Sequence, residues 1–119
     1  MNYIHFFVPG SPRAKQSFRY DGNGRGHTDL GVKSWQDWIS IYAKKEMIDK
    51  EIFSKPTYVS LKFRLPTKRR VDIDNLSKCV LDGLNGIVQK DDCQVHKLIL
   101  EKQYSRVDPG VIIYVEEIA

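Results

Sequence analysis

Between Pro56 and Pro66 the chain alternates without a break: Val59, Leu61, Phe63 and Leu65 fall on one side of an extended backbone, Tyr58, Ser60, Lys62 and Arg64 on the other. This period of two specifies a strand with one buried and one wet face, opened by one proline and stopped by the next. A half-buried strand needs partner strands beside it and an apolar cover over its inner face. The remaining sequence supplies both.

Three more segments read as strands. Tyr3 to Val8 sets Ile4, Phe6 and Val8 against Tyr3, His5 and Phe7, with both faces partly covered, and ends at Pro9-Gly10. Segments from about Val95 to Tyr104 and from about Val111 to Glu116 flank the turn signal Asp108-Pro109-Gly110.

The cover comes from two helices. Ser34 with Asp37 three residues later starts the first, from about Ser34 to Lys50, in which Trp35, Trp38, Ile39, Tyr42, Ala43 and Ile48 recur at helical spacing. The Trp35/Trp38 pair is expected to pack in the core or a subunit contact rather than to stack on bases. The second helix starts at about Asn75 and ends near Val88. At about 100° per residue, Leu76, Val80, Gly83, Leu84, Ile87 and Val88 form its apolar sector, opposite Asn75, Lys78, Asp82, Asn85 and Gln89. Gly10 to Gly31 holds most of the eight glycines and reads as a long loop with a loose hairpin around Asp21 to Gly26. The expected fold is therefore α/β (α+β), a single domain over residues 1–119 with a small mixed sheet of about four strands and two main helices.

Composition removes several function classes. With 119 residues and 41% hydrophobic content the chain can fill one core, against both a multidomain machine and a disordered chain. No apolar run reaches the roughly 18 residues of a membrane span, and Tyr3 to Val8 is too short for a signal peptide, so a cytoplasmic location is expected. Cys79 and Cys93 lack zinc-site spacing and are read as reduced thiols. Nineteen Lys plus Arg against 15 Asp plus Glu give a net charge of +4. Its distribution matters more than its size: Arg13, Lys15, Arg19, Arg25, Lys68, Arg69, Arg70, Lys97, Lys102 and Arg106 surround a central group of acids. No GxSxG element, P-loop, HExxH or dinucleotide fingerprint is present, so no nucleotide cofactor is expected.

The acids lie in two places. On an extended backbone Asp72 and Asp74 project from the same face, where two like charges repel unless a cation or proton compensates them. Such a pair is a reasonable divalent-metal site, although Asp74 or Asn75 can instead cap the following helix. Lys78, one turn beyond Asp74, can contact an anion held by the metal, or simply pair with Asp82. Asp91-Asp92, in the turn before the next strand, offers a third carboxylate. Three acids and a lysine inside a basic surface suit phosphodiester hydrolysis, with basic residues holding a nucleic-acid backbone without reading sequence.

These residues resemble the RusA family of Holliday junction resolvases. The family's D-x-D-N-x-x-K is present as Asp72, Asp74, Asn75 and Lys78, its later D-D-x-Q as Asp91, Asp92 and Gln94, and the likeness runs through the helix to include Asp82. The resemblance implies a small homodimeric Mg²⁺-dependent endonuclease, with Mn²⁺ a possible substitute. It also implies Asp72, Asp74 and Asp92 as metal ligands, Lys78 as a catalytic assistant, Asn75 and Asp91 as neighbours of the site, and a branched four-way DNA junction as partner. At the N-terminus the chain departs from the Pro-Pro-Ser-x-Asn type of some members and reads Pro9-Gly10-Ser11-Pro12 with Lys15 and Arg19. Arg13, Lys15, Arg19, Lys68, Arg69 and Arg70 are the candidate DNA contacts. Two other readings remain: a noncatalytic DNA-binding protein whose acids cap a helix, and a nuclease acting on flap DNA or RNA.

Overall fold

In the computed structural model, residues 2–15, 19–20, 26–27 and 30–118 are described, the two short pairs by their backbone alone. Strand β1 is Tyr3–Pro9, and β2 (Arg19–Tyr20) pairs antiparallel with β3 (Gly26–His27); the connection at 21–25, where a loose hairpin is expected, lies outside the described residues. There follow α1 (Leu30–Glu46), β4 (Thr57–Leu65), α2 (Ile73–Leu84), a single 3₁₀ turn over Asp92–Gln94, β5 (Val95–Tyr104) and β6 (Gly110–Glu117).

The main sheet has the order β1-β6-β4-β5. β6 is antiparallel to both neighbours, pairing Phe6 with Ile113 and Leu61 with Ile113, whereas β4 and β5 run parallel, with Leu61 beside Leu100. A parallel pair cannot be joined by a tight turn, so α2 is the crossover between them. The expectation of a four-stranded mixed sheet with two helices is met.

Alternation decides which face is covered. β4 buries every odd residue from Thr57 to Leu65, β1 buries Ile4, Phe6 and Val8, and β6 buries Val111, Ile113 and Val115. These join Val32, Trp35, Ile39 and Ala43 of α1 and Leu76, Cys79, Val80 and Leu84 of α2 in one apolar cluster. The helices meet most closely at Gly83, where a Cβ would lie 3.1 Å from the Gln36 carbonyl and 3.2 Å from the Ile39 side chain. Beside that contact the Ser40 hydroxyl donates to the Gly83 carbonyl at 2.8 Å. The other face of the sheet carries aromatics, with the Tyr114 ring 5.8 Å from those of Tyr3 and Tyr58 and 5.6 Å from that of His5.

Several boundaries and placements differ from expectation. α1 begins at Leu30 rather than Ser34 and ends at Glu46, leaving Ile48 66% exposed on the turn that follows. Trp35 is in the core as expected, but Trp38 is 41% exposed, its indole N–H donating to the Pro9 carbonyl at 2.7 Å and its ring edge-on to Tyr42. α2 stops at Leu84 rather than Val88 because Asn85 is extended and Gly86 takes a φ of +83°, a conformation glycine adopts without a steric penalty. Gln89, read as facing solvent, is buried and accepts a hydrogen bond from the Thr57 hydroxyl at 2.8 Å.

Candidate active site

The site is built where α2 begins. Asp72 and Asp74 do not lie on a strand: Asp72 is the residue before the helix, with φ −74° and ψ 131°, and Ile73 is already helical. The same-face argument therefore does not hold, since residues two apart on a helix are turned by about 200°. A different relation replaces it. Both carboxylates stand at the start of α2, where the unpaired N–H groups and the helix dipole favour negative charge. Asp72 makes no side-chain capping bond, whereas Asp74 Oδ1 accepts the Asn75 N–H at 3.0 Å. Both side chains are exposed, and Asn75 is half-buried.

The second acidic segment reaches the same helix through Lys78. Its ammonium lies 3.0 Å from Asp92 Oδ2 and 3.8 Å from Asp82 Oδ1. The hydrogen bond to Asp92 raises the Lys78 pKa above the ordinary lysine value, and the same bond, aided by Asp91, holds Asp92 below the ordinary aspartate value. Lys78 therefore turns away from Asp74 toward these two acids. Gln94 fixes the turn that carries Asp91 and Asp92. Its side-chain oxygen accepts the N–H groups of Lys90 at 2.7 Å and Asp91 at 3.3 Å, while its amide donates to the carbonyls of Phe53 at 2.9 Å and Lys55 at 3.1 Å.

Among the described residues, no three His, Cys, Asp or Glu side chains are grouped closely enough to hold a metal ion. Asp72, Asp74 and Asp92 are thus not gathered into a three-ligand cage within one chain. The donor set still suits a hard cation: Asp72 is uncommitted as a cap, and carboxylate oxygens with water and phosphate in the remaining positions are the usual Mg²⁺ arrangement.

Beside Asp72 and Asn75 opens a cavity of about 280 Å³, lined also by Arg13, Arg69, Arg70 and Val71. Three guanidinium-bearing residues around one carboxylate make a basic recess next to an acidic point. Arg69 donates to the Pro12 carbonyl at 3.3 Å, closing the recess against the N-terminal segment. The other candidate contacts are elsewhere: Lys68 sits 5.4 Å over the Tyr104 ring, and the Lys15 ammonium is bound by Asp82. The Arg19 side chain lies outside the described residues. Sequence reading gave Asp82 no role beyond a partner for Lys78. Nothing in the residue pattern signals its bond to Lys15, because the two are 67 positions apart.

Comparison with known proteins places this geometry in context. The pattern of the family described as "Endodeoxyribonuclease RusA" matches residues 9–116, from the end of β1 to β6. The chain is 29% identical over 96 residues to "Crossover junction endodeoxyribonuclease rusA" of Enterobacteria phage 82, covering 80% of this chain and 78% of that protein. Its namesake in Escherichia coli K12 is 28% identical over the same shares. "Uncharacterized protein YqaN" of Bacillus subtilis strain 168 is 27% identical, spanning 100% of this chain and 99% of its own length. A match across nearly the whole chain, with both acidic segments inside it, makes this protein a member of the RusA endodeoxyribonuclease family.

Proposed function

We propose that this chain is a divalent-metal-dependent, structure-selective endodeoxyribonuclease that resolves four-way DNA junctions in recombination and repair, acting in the cytoplasm of a bacterial cell. The observation that carries the reading is the 3.0 Å contact between Lys78 and Asp92, which ties the turn before β5 to the helix that begins at Asp72. Asp72, Asp74 and Asp92 would hold Mg²⁺ or Mn²⁺, with Asn75 and Asp91 as their neighbours. When bound, the metal supplies Lewis-acid activation of water and offsets charge at the phosphate. Lys78 would keep its ammonium beside Asp92, where it stabilises negative charge on the reacting phosphate or the leaving oxygen. Arg13, Arg69 and Arg70 offer donors to backbone phosphates at the cavity beside Asp72, in a fork geometry that fits them.

Resolution requires nicks in two opposed strands, so two copies related by a two-fold axis suit the substrate. β5 offers the surface for such a pair. It is a ten-residue edge strand with exposed Leu98 and Ile99, and a long, apolar, uncovered edge invites pairing. Antiparallel pairing with Ile99 on the axis sets Lys97 opposite Glu101 of the second copy and Leu98 opposite Leu100, matching charge with charge and apolar with apolar.

The test is cleavage of a synthetic four-way junction, a flap and plain duplex with and without Mg²⁺, paired with a Mn²⁺ titration of the free protein. Metal-dependent nicking that favours the junction, and Mn²⁺ binding weakened by Asp72→Asn, support the reading. Junction binding with no nicking in any metal would leave a DNA-binding protein without catalysis.

A further inference from the structure

A row of alternating charges runs along the flank of α2. Asp82 binds the Lys15 ammonium through Oδ2, an oxygen also approached by the Gln36 amide at 3.5 Å. Its other oxygen faces Lys78 at 3.8 Å, and Lys78 continues to Asp92 at 3.0 Å. Of the four charged side chains Asp82 is the most enclosed, 20% exposed against 40% for Lys15, 52% for Lys78 and 26% for Asp92. Enclosure makes its ion pairs less screened by solvent than pairs on an open surface. The Lys15 backbone is anchored too, its N–H donating to the Asn75 carbonyl at 3.0 Å on the first turn of α2.

We infer that Asp82 is a positioning residue of the nuclease site. It holds the Lys78 ammonium between two carboxylates and docks the segment of Arg13 and Lys15 against the helix that carries Asp72 and Asp74. The inference rests on the nuclease reading above. Its physical content is a balance: Lys78 hydrogen-bonds Asp92 at 3.0 Å, while the longer 3.8 Å attraction of Asp82 draws it back. Without the charge on Asp82, Lys78 goes wholly to Asp92 and covers a carboxylate assigned to the metal, while Lys15 loses its counter-charge close to another ammonium. Asp82 itself touches no substrate in this scheme. It acts through Lys78 and Lys15.

The test combines a mutant cycle with a direct view of the two lysines. Asp82→Asn keeps shape and removes charge; it should slow single-turnover junction cleavage in Mg²⁺ by about tenfold at saturating enzyme, yet cost only about threefold, the part that passes through Lys15, when made in a Lys78→Met background. In ¹⁵N-resolved spectra of the wild-type chain the Lys15 and Lys78 ammonium groups should give distinct signals that shift or vanish in Asp82→Asn and persist in Asp37→Asn. Equal cost of Asp82→Asn in both backgrounds, or lysine signals that ignore it, overturns the inference. Asp72→Asn run alongside separates the two ideas. Should Asp72→Asn cleave like wild type, the nuclease site is wrongly assigned; should it be inactive while Asp82→Asn is fully active, only the role of Asp82 falls.

Discussion

Lys78 Nζ lies 3.0 Å from Asp92 Oδ2, so a side chain from the exposed flank of α2 grips the turn that leads into β5. This contact ties the second acidic segment to the helix that the first one opens. Replacing Lys78 with Met should lower the cleavage rate by about a hundredfold while junction affinity changes little, since the lost ammonium serves charge that develops during the reaction. Single-turnover cleavage and a binding titration on the same junction would separate the two effects.

The β5 edge gives a prediction about assembly. For the β5 pairing proposed above, light scattering should give the mass of two chains for wild type and of one for Ile99→Lys. Lys97→Glu alone should weaken association, and Lys97→Glu with Glu101→Lys should restore it, because the exchange recreates both opposite-charge pairs across the axis. Failure of the double variant to recover would place the contact on another surface.

The thiols should behave differently. Cys79 is fully enclosed between the helices, and burial pushes its pKa up to about 12. Cys93 is exposed, with its pKa raised by the neighbouring Asp91. A thiol-disulfide exchange reagent at pH 8 should therefore modify Cys93 in the native chain, more slowly than a free cysteine, and reach Cys79 only after unfolding. Thiol counts in buffer and in guanidinium check this directly.

Glu117 ties the end of β6 to both the N-terminal residues and the approach to β4. It accepts the Asn2 amide at 2.9 Å and the backbone N–H groups of Ser54 at 2.9 Å and Lys55 at 3.0 Å. The Asn2 bond leads in holding its pKa below the ordinary glutamate value. A lowered folded-state pKa gives stability that is complete above the unfolded value and lost as pH falls through the folded one. Melting curves of wild type and Glu117→Gln should thus differ at neutral pH and start to converge only once the pH falls below the ordinary glutamate value.

Gly110 pairs with Pro9 where β1 and β6 meet. A Cβ there would press on the Phe7 ring and on the Val8 carbonyl, and the backbone carbonyl cannot yield without disturbing the strand pair. Gly110→Ala should cost about 1–3 kcal/mol in denaturant melts, although alanine is better tolerated than glycine in most strands.

The strands were legible because alternation and proline or glycine punctuation coincide: β4 lies between Pro56 and Pro66, and β6 follows Pro109. The start of α1 was not, since Leu30 is 83% exposed and adds nothing to the apolar stripe. At α2 two patterns overlap. Val71 to Asp74 alternates like a strand, yet Ile73 opens a helix, and a period of two over four residues cannot distinguish these. The candidate residues could be named from the residue pattern together with the family resemblance, which chose Asp92 over Asp91. Their contacts could not, because the pairs Lys78–Asp92 and Lys15–Asp82 depend on how the crossover helix packs, which local periodicity does not encode.

The account turns on carboxylates at the head of α2 acting with a divalent ion on DNA. Its most direct test is Mg²⁺-dependent nicking of a synthetic four-way junction by wild type and by Asp74→Asn, with junction binding measured in parallel. The account predicts cleavage by wild type only when Mg²⁺ is present, and a fall of about a hundredfold or more in the variant with binding retained. Cleavage by Asp74→Asn at the wild-type rate would contradict it.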